Sequence, residues 1–318
     1  MKRVISRWMA AVAAVSICTA TAEECVLVME AYSGKVLVGG NSSTKRPVAS
    51  LTKIATGAVA VDWASAAGVE LSTHMLTVPQ TAPLVGGVNP MQLQPGDRIS
   101  LRDALYAAML ASDNIAALTI ADHIGREIGT RRGKSGDPVV VFVEEMNLLG
   151  KALHMDDTRF ANPHGLERPK QKAYSTAADI AKLSVHAMRR NAFNFIVRQQ
   201  TREVSVEGPG GKRGYTIRNS NALIGEPGIL GVKTGTNAAA GECLSVCMDK
   251  DPLLRTKPDG SKGVTPRRLI VVLLNSPDRF GHARKLLDQG WARYDAWLAA
   301  GAPVQDKERE IITVPQPQ

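Results

Sequence analysis

Apolar segments typical of β-strands lie near both ends of this chain, and the long stretch between them has the pattern of helices. Near the N-terminus, segments 25–30 and 35–38 flank the turn residues Ser33-Gly34 and predict a hairpin. The strands expected near the C-terminus are 229–236, 242–248 and 269–274, followed by a closing helix at 280–298. This order predicts an α/β (α+β) fold with one central antiparallel sheet, built from both chain ends and flanked by helices.

Several helices and one short strand are predicted in the middle of the chain. The helices are expected at 50–66, 101–110, 115–124, 139–153 and 175–190, and the strand at 76–78. Ser100 is the expected N-cap of the second helix, and the polar segment 249–267 is interpreted as a connection between strands. The central helices would then form a helical lobe beside the sheet.

The first residues have the composition of a secretory signal peptide. Three basic residues accompany an apolar run from Trp8 to Cys18, which is followed by the small residues Ala20-Thr21-Ala22. We predict cleavage after Ala22, because the apolar run is shorter than the roughly 20 residues needed to cross a bilayer. The alternatives are an uncleaved anchor and a lipoprotein that is lipidated at Cys18.

We expect one folded domain over 23–300, between the signal peptide at 1–22 and a flexible tail at 301–318. A composition of 44% hydrophobic and 22% charged residues is that of an ordinary globular protein with a sizeable core. The tail contains several prolines and lacks the apolar face of a membrane-surface helix.

The charge of the chain bears on its partners and its location. The formal net charge is +9, and removal of 1–22, with three basic residues and no acidic one, leaves +6. Only 4% of the residues are aromatic and no nucleic-acid-binding motif is present, so nucleic acid is not an expected partner. Export and positive charge together predict a periplasmic or other extracytoplasmic location in the cell envelope. The protein would be soluble there or loosely attached, with peripheral contact to an anionic membrane or wall.

Three cysteines remain after the leader is removed, and an odd number cannot all pair within the chain. Cys243 and Cys247 share one predicted strand, where four residues separate them by roughly 13 Å, which is too far for a disulfide. We therefore expect Cys25, Cys243 and Cys247 to be buried, unreactive thiols. A metal site is not expected, since His154 and His164 are isolated from the cysteines, and no cofactor is expected either.

A serine and a lysine three residues apart, Ser50 and Lys53, open the first long predicted helix. On a helix this spacing places both side chains on one face, so that the lysine amine can reach the hydroxyl. A lysine whose pKa is lowered by burial or by a nearby cation could take the serine proton. The alternative is a helix-capping serine with a solvated lysine. The same spacing occurs at Ser42 and Lys45, but these residues lie in a polar loop before Pro47 and are interpreted as a chance match.

Ser112, Asp113 and Asn114 lie at the joint between two predicted helices, where side chains can point into a cleft. The Ser112 hydroxyl could relay a proton towards a leaving group. The Asn114 amide could donate to a substrate carbonyl or hold Lys53. Capping of the adjoining helices is the alternative for both residues. No role is assigned to Asp113.

Lys233, Thr234 and Gly235 lie at the end of the strand that begins near 229. An ammonium and a hydroxyl there can hold a substrate carboxylate, and a glycine permits close approach. The main-chain amide of the next residue, Thr236, can contribute to an oxyanion hole. Alone, this triplet would be an exposed strand end with a solvated lysine. Three such motifs in this order, each on a suitable element, indicate a serine acyl-transfer site.

These three motifs are those of class A β-lactamases and penicillin-binding proteins. The chain resembles the low-molecular-mass penicillin-binding proteins of the D-alanyl-D-alanine carboxypeptidase family, which are peptidase S11-like. The similar segments are PVASLTKIATG, QLQPGDRISLRDALYAAMLASDN, TRFANPHGL, YSTAADIAKL and GVKTGTNAAAGECL. The resemblance covers roughly 25–298 and implies a β-lactamase/transpeptidase-like fold.

The resemblance implies a serine-type carboxypeptidase that removes the terminal D-Ala from peptidoglycan stem pentapeptides through an acyl-enzyme. The implied catalytic residues are Ser50, Lys53 and Ser112, and the implied substrate-binding residues are Asn114, Lys233, Thr234, Gly235 and Thr236. Ser50 would be the nucleophile, Lys53 the base in acylation, and Lys233 with Thr234 the carboxylate clamp. β-Lactam antibiotics would acylate Ser50 as substrate mimics.

Two features differ from the pattern of many members of that family. Thr236-Asn237 follows the third motif, where members often carry Tyr-Thr or a similar pair, and this bears on the oxyanion edge and on substrate preference. Many members also continue into a β-rich second domain that ends in an amphipathic anchor. Its absence here predicts a soluble or loosely attached enzyme.

Other functions are compatible with the same motifs. A D,D-endopeptidase that cleaves peptidoglycan cross-links would use the same residues, and a non-catalytic penicillin-binding scaffold would retain the same pocket. A β-lactamase is disfavoured, because its fast deacylation uses a dedicated glutamate after the second motif, and 161–168 offers only Glu167.

Overall fold

The computed structural model describes residues 23–169, 171–256 and 262–303. The predicted signal peptide at 1–22 and all but the first residues of the predicted tail lie outside the described residues. The described part of the chain forms two antiparallel sheets and seven α-helices, which confirms the α/β (α+β) class. None of these helices has both the length and the hydropathy of a membrane span.

The elements are numbered in chain order. The strands are β1 (Cys25–Glu30), β2 (Val36–Gly40), β3 (Met75–Thr77), β4 (Arg98–Ser100), β5 (Thr201–Gly208), β6 (Gly211–Arg218), β7 (Ile229–Asn237), β8 (Gly241–Thr256) and β9 (Lys262–Leu274). The helices are α1 (Lys53–Ala67), α2 (Leu101–Met109), α3 (Asn114–Arg131), α4 (Pro138–Ala152), α5 (Ala177–Met188), α6 (Asn191–Val197) and α7 (Arg279–Ala299).

The larger sheet joins the two ends of the folded chain, as predicted. Its strand order is β2-β1-β9-β8-β7, and every neighbouring pair is antiparallel. β1 pairs with β9 over its full length, from Cys25 opposite Leu274 to Glu30 opposite Leu269. The predicted hairpin of β1 and β2 is therefore extended by β9, the last strand among the described residues.

Both faces of the larger sheet are buried. The residues from Leu269 to Leu274 are all 0% exposed, although alternate side chains of a strand point to opposite faces. Val271 belongs to the same apolar cluster as Trp291 of α7, whereas Val272 belongs to the core that contains Ile54 of α1. α7 thus covers one face, and the helical lobe covers the other.

The first helix is buried on nearly all sides, which accounts for its almost uninterrupted apolar sequence. Gly57 in its middle is a weak helix former, but a Cβ atom there would lie 2.8 Å from the Phe193 ring. The helix ends at Gly68, which has φ +65° and caps the last turn in the left-handed conformation. Close packing against α6 therefore explains the glycine that propensity alone would disfavour.

A second, smaller sheet was not predicted, apart from the short strand at 76–78. Its order is β3-β4-β5-β6. In β5 only Val204 and Val206 are buried, and α6 has only seven residues, so neither carries a strong periodic signal. These elements acquire their apolar partners only in the folded protein.

The interpretation of 249–267 as a polar connection was wrong. β8 and β9 continue as paired strands beyond the core, with Leu253 opposite Thr265 and Leu254 opposite Val264. Main-chain hydrogen bonds hold such a ribbon together, so polar side chains do not prevent it. The Arg268 Nε lies 2.7 Å from Asp249 Oδ1 across the two strands.

Candidate active site

Ser50 lies in a 3₁₀ turn, Ala49–Thr52, directly before α1. The predicted helix began at Ser50, whereas the α-helix itself begins at Lys53. The turn packs closely against a neighbouring loop, because a Cβ atom at Gly165 would overlap the carbonyl oxygen of Ala49. Ser50 itself is half-buried. Its hydroxyl is therefore carried by a well-packed turn at the edge of the sheet.

The side chain of Lys53 is completely buried and has three hydrogen-bond partners. Its Nζ lies 3.1 Å from Ser50 Oγ, 2.7 Å from Asn114 Oδ1 and 2.9 Å from the carbonyl oxygen of His164. The predicted contact of Lys53 with Ser50 is therefore present. The first and second motifs also meet at this amine.

The surroundings of Lys53 disfavour its charged form. Burial, reinforced by the positive charge of Lys233, lowers the pKa of Lys53 well below its usual value. The carboxylate of Asp113 acts in the opposite direction. The amine is thus predisposed to accept a proton.

Asp113, to which the sequence assigned no role, is the N-cap of α3. Its Oδ1 accepts hydrogen bonds from the main-chain nitrogens of Ile115 and Ala116, both at 2.9 Å. This cap fixes the first residue of the helix, Asn114, whose Nδ2 donates to the carbonyl oxygen of Gly86 at 3.3 Å. The signal for Asp113 was in the sequence, since aspartate before an apolar helical run is a preferred N-cap.

Ser112 lies one residue before that cap, and its backbone has φ +62°. A left-handed conformation is uncommon for residues other than glycine, and such residues often occur at functional sites. Ser112 is half-buried in the joint between α2 and α3, as the sequence predicted.

A loop from Asn162 to Leu166 closes the side of the site behind Lys53. Asn162 Oδ1 accepts from the main-chain nitrogen of Gly165 at 2.7 Å, and the carbonyl oxygen of Pro163 accepts from Thr56 Oγ1 at 2.6 Å. Burial lowers the pKa of His164 to about 3, and its Nδ1 accepts from the main-chain nitrogen of Leu166. His164 therefore contacts Lys53 through its carbonyl group and carries a neutral imidazole.

Lys233 lies in β7 with 1% of its surface exposed. Its Nζ donates to the carbonyl oxygen of Thr234 at 3.0 Å. Burial and the charge of Arg279 lower the pKa of Lys233 to about 7. The lysine is thus buried, in contrast to the solvated strand end that was the alternative.

The neighbours of Lys233 on β7 contact other parts of the site. Thr234 Oγ1 lies 2.6 Å from Ser220 Oγ, in the loop that follows β6. A Cβ atom at Gly235 would lie 3.1 Å from the main-chain nitrogen of Ser50. The third motif therefore lies directly beside the turn that carries the first.

Thr236 contacts the first residue of α7. Arg279 Nη1 donates to Thr236 Oγ1 at 2.7 Å and to the carbonyl oxygen of Gly235 at 3.1 Å. Sequence reasoning missed both Arg279 and Ser220. No local pattern marks either residue, because each reaches β7 from a different segment of the chain.

The residues set aside in the sequence lie elsewhere or lack such contacts. Lys45 forms an exposed ion pair with Asp157, with Nζ 2.8 Å from Oδ1, so the Ser42/Lys45 spacing is a chance match. Glu167 is exposed, and no carboxylate of this loop contacts Ser50 or Lys53 within the described residues.

The three cysteines of the described chain are free and buried, as expected. Burial raises the pKa of the Cys243 thiol to about 11 and that of Cys247 to about 12, so both are unreactive. No group of three or more histidine, cysteine, aspartate or glutamate side chains suited to a metal occurs in the described ranges.

The comparisons with known proteins agree with this geometry. The family model described as D-alanyl-D-alanine carboxypeptidase, peptidase S11, matches residues 11–252. The Escherichia coli protein named D-alanyl-D-alanine carboxypeptidase DacD is 32% identical over 274 residues, covering 83% of this chain and 62% of that protein. A Pseudomonas aeruginosa protein named D-alanyl-D-alanine endopeptidase is 29% identical, and the match covers 86% of this chain and 76% of that protein.

Solved structures extend the similarity to the fold. The crystal structure of the Streptomyces K15 DD-transpeptidase superposes with a TM-score of 0.69 at 25% identity, over 84% of this chain and 96% of that one. The chain spans less than two thirds of the length of the E. coli relative, 62%. The matched family model extends over most of the sequence, from residue 11 to residue 252 in β8. The chain therefore belongs to the D-alanyl-D-alanine carboxypeptidase family, peptidase S11.

Proposed function

We propose that the protein is a serine-type D-alanyl-D-alanine carboxypeptidase. It removes the terminal D-Ala from peptidoglycan stem pentapeptides through an acyl-enzyme on Ser50. The observation that carries this proposal is the 3.1 Å distance between Lys53 Nζ and Ser50 Oγ, in surroundings that lower the pKa of the lysine.

The hydrogen bonds of Lys53 suit a neutral amine. A neutral amine has two N–H donors and one lone pair. Asn114 Oδ1 and the His164 carbonyl oxygen can only accept, so they take the two N–H groups. The lone pair is then left for the hydroxyl of Ser50, which can donate its proton.

Acylation follows from this arrangement. Lys53 takes the Ser50 proton while Oγ bonds to the carbonyl carbon of the penultimate D-Ala. The carbon–nitrogen bond then breaks, and the proton passes from Lys53 through Ser112 to the departing amine of the terminal D-Ala. Water afterwards attacks the ester carbon and gives a proton to Lys53. The bond between that carbon and Ser50 Oγ then breaks, and Lys53 returns the proton to Oγ.

The terminal carboxylate of the substrate is bound by the third motif. In its charged form Lys233 attracts the carboxylate, and the Thr234 hydroxyl, held by Ser220, donates a hydrogen bond to it. Arg279 adds a second positive charge beside Thr236. The main-chain nitrogens of Ser50 and Thr236 form the oxyanion hole, since β7 lies against the Ser50 turn.

β-Lactam antibiotics enter the same site as substrate mimics. Their carboxylate occupies the position of the D-Ala carboxylate, and Ser50 Oγ opens the ring to form an ester. The product stays attached, so that a fluorescent penicillin labels the protein covalently.

The experiment combines D-Ala release from a defined stem pentapeptide with labelling by fluorescent penicillin. Both are expected in the natural protein, both are expected to be lost in Ser50→Ala, and both are expected to persist in Ser42→Ala. Release that is unaffected by Ser50→Ala would overturn the proposal. Stable labelling without D-Ala release would identify a non-catalytic penicillin-binding scaffold instead.

A D,D-endopeptidase is the second candidate, and the P. aeruginosa relative of that name favours it. This chain covers 76% of that protein, against 62% of the carboxypeptidase DacD. Both reactions acylate the same serine and differ in what lies beyond the scissile bond. Monomers released from a cross-linked muropeptide dimer, in place of free D-Ala from a pentapeptide, would assign the protein to this class.

The location also belongs to the proposal. We place the mature enzyme outside the cytoplasm, in the periplasm or cell envelope, after cleavage behind Ala22. The mature charge of +6, which follows from loss of three basic residues from +9, suits peripheral contact with an anionic wall or membrane. Mass spectrometry of the secreted protein tests the cleavage site, and an N-terminus other than Glu23 would contradict it.

A further inference from the structure

Two histidines outside the candidate active site lie in direct contact. His74 precedes β3, and His123 lies in the middle of α3. Their Nε2 atoms are 2.8 Å apart, and the ring centroids are 4.8 Å apart with the planes at 79°. The two residues are far apart in the sequence, so no local spacing motif predicts the pair.

A tryptophan forms one wall of this pair. The Trp63 ring centroid lies 5.5 Å from that of His74 and 6.4 Å from that of His123. Both imidazoles are half-buried, so they are shielded on one side and remain accessible from the other.

The distance between the two nitrogens matches that of a pair of metal ligands. Imidazole nitrogens bind zinc at about 2.0–2.1 Å. Two such ligands at angles between about 90° and 109° are then roughly 2.8–3.4 Å apart, by the same bond lengths. The observed 2.8 Å lies at the lower end, which corresponds to the right angles preferred by Cu²⁺ and Ni²⁺.

We propose that His74 and His123 form a binding site for a divalent late transition-metal ion, with Cu²⁺ bound most tightly. The remaining coordination positions are filled by water, because the described residues contain no cluster of three or more potential ligands. Such a site exchanges its metal readily and differs from a closed structural site. The preference follows the general affinity order, in which Cu²⁺ exceeds Ni²⁺ and Zn²⁺.

A bound ion would link separate parts of the helical lobe. The carbonyl oxygen of His74 accepts from the main-chain nitrogen of Leu101, the first residue of α2, at 2.8 Å. His123 belongs to α3, the helix that begins with Asn114. The metal would thus join the segment before β3 to α3. Its ligand His123 lies about 14 Å from Asn114 along the axis of that helix.

The test is a titration of the untagged mature protein with CuCl₂, in which binding is monitored by calorimetry and by tryptophan fluorescence. One saturable site is expected, with quenching that depends on Trp63. His74→Gln and His123→Gln should each weaken binding by at least the roughly 10–100-fold that loss of an outer-shell partner causes. His154→Gln, at an exposed histidine outside the pair, is the matched control and should bind normally.

Two further measurements distinguish loss of a metal ligand from misfolding of the histidine variants. Trp63→Phe should lose the quenching and retain calorimetric binding. Electron paramagnetic resonance of the Cu²⁺ complex of the natural protein should show two imidazole nitrogens. Binding of wild-type strength in both His74→Gln and His123→Gln, or a spectrum without imidazole coupling, would reduce the pair to a hydrogen-bonded one and overturn the proposal.

Discussion

Gly235 and Ser50 are in close main-chain contact: a Cβ atom at Gly235 would lie 3.1 Å from the main-chain nitrogen of Ser50. The same atom would lie 2.9 Å from the carbonyl oxygen of Val48. β7 can approach the Ser50 turn this closely only because residue 235 has no side chain. The clamp and the nucleophile of the proposed mechanism are positioned relative to each other by this contact.

Gly235→Ala is therefore expected to separate β7 from the Ser50 turn by a few tenths of an ångström or more. Misplacement of about 1 Å can cost 100-fold in rate, so acylation by a fluorescent penicillin should slow by roughly 10–100-fold. Gly214→Ala in β6 is the control, because nothing lies within 4 Å of the added Cβ there. Equal acylation rates for the two variants would contradict the expectation.

Asn114→Asp tests the protonation state of Lys53. The new carboxylate would lie beside Lys53 Nζ, which is 2.7 Å from Asn114 Oδ1. An adjacent opposite charge favours the charged lysine by about 1–3 pKa units, so acylation at pH 7 should fall by about tenfold or more. The loss should shrink as the pH rises, because the lysine then becomes neutral. Asn191→Asp, at an exposed position, should behave like the natural protein, and a pH-independent loss would refute this account.

The pH profile of D-Ala release should be bell-shaped. Lys53 must be neutral to act as the base, which sets the acid limb, and its lowered pKa places that limb below the range of an ordinary lysine. Lys233 must be charged to bind the carboxylate, and its pKa of about 7 sets the alkaline limb of kcat/KM. The profile is measured as kcat/KM for a stem pentapeptide between about pH 5 and 10, a range that spans both limbs.

Arg279→Gln should move the alkaline limb to higher pH. The charge of Arg279 lowers the pKa of Lys233, so its removal raises that pKa, although burial, the larger cause, remains. The variant should also bind substrate more weakly, since Arg279 contacts Thr236. Arg284 lies on the same helix as Arg279 and forms an exposed ion pair with Glu226. Arg284→Gln removes this ion pair and should leave the alkaline limb in place. A limb that stays or moves to lower pH in Arg279→Gln would show that the two charges do not interact as described.

Substitution of two aspartate N-caps allows effects on the free energy of unfolding and on acylation to be compared. Asp113 caps α3 beside Asn114, and Asp137 caps α4 on the surface, where it accepts from the main-chain nitrogen of Val139 at 2.9 Å. Replacement of either by Ala should lower the free energy of unfolding by about 1 kcal/mol. Only Asp113→Ala should also slow acylation, because it releases Asn114, whose Oδ1 accepts a hydrogen bond from Lys53. Urea denaturation and penicillin labelling measure the two effects, and unchanged acylation in Asp113→Ala would limit that residue to a cap.

Much of the fold could be predicted because its signals are local. β1 and the inner part of β9 have continuous apolar sequences, since both faces of the sheet are buried there, and the cap of α2 at Ser100 accepts from the main-chain nitrogen of Asp103 as expected. β5 and β6 could not be recognised, because they bury few side chains and gain their neighbours from distant segments. The extension of β8 and β9 was missed because its pairing depends on the main chain.

The sequence alone determined the pieces of the site: a serine and lysine three residues apart, a polar joint between two helices, and a lysine at a strand end. Packing of the folded chain is what buries Lys53 between Ser50, Asn114 and His164. It also brings Ser220 to Thr234 and Arg279 to Thr236. Spacing along one helix or strand sets which residues share a face. Distances between remote segments, and the burial that lowers the pKa of a lysine, arise only when the whole chain packs around them.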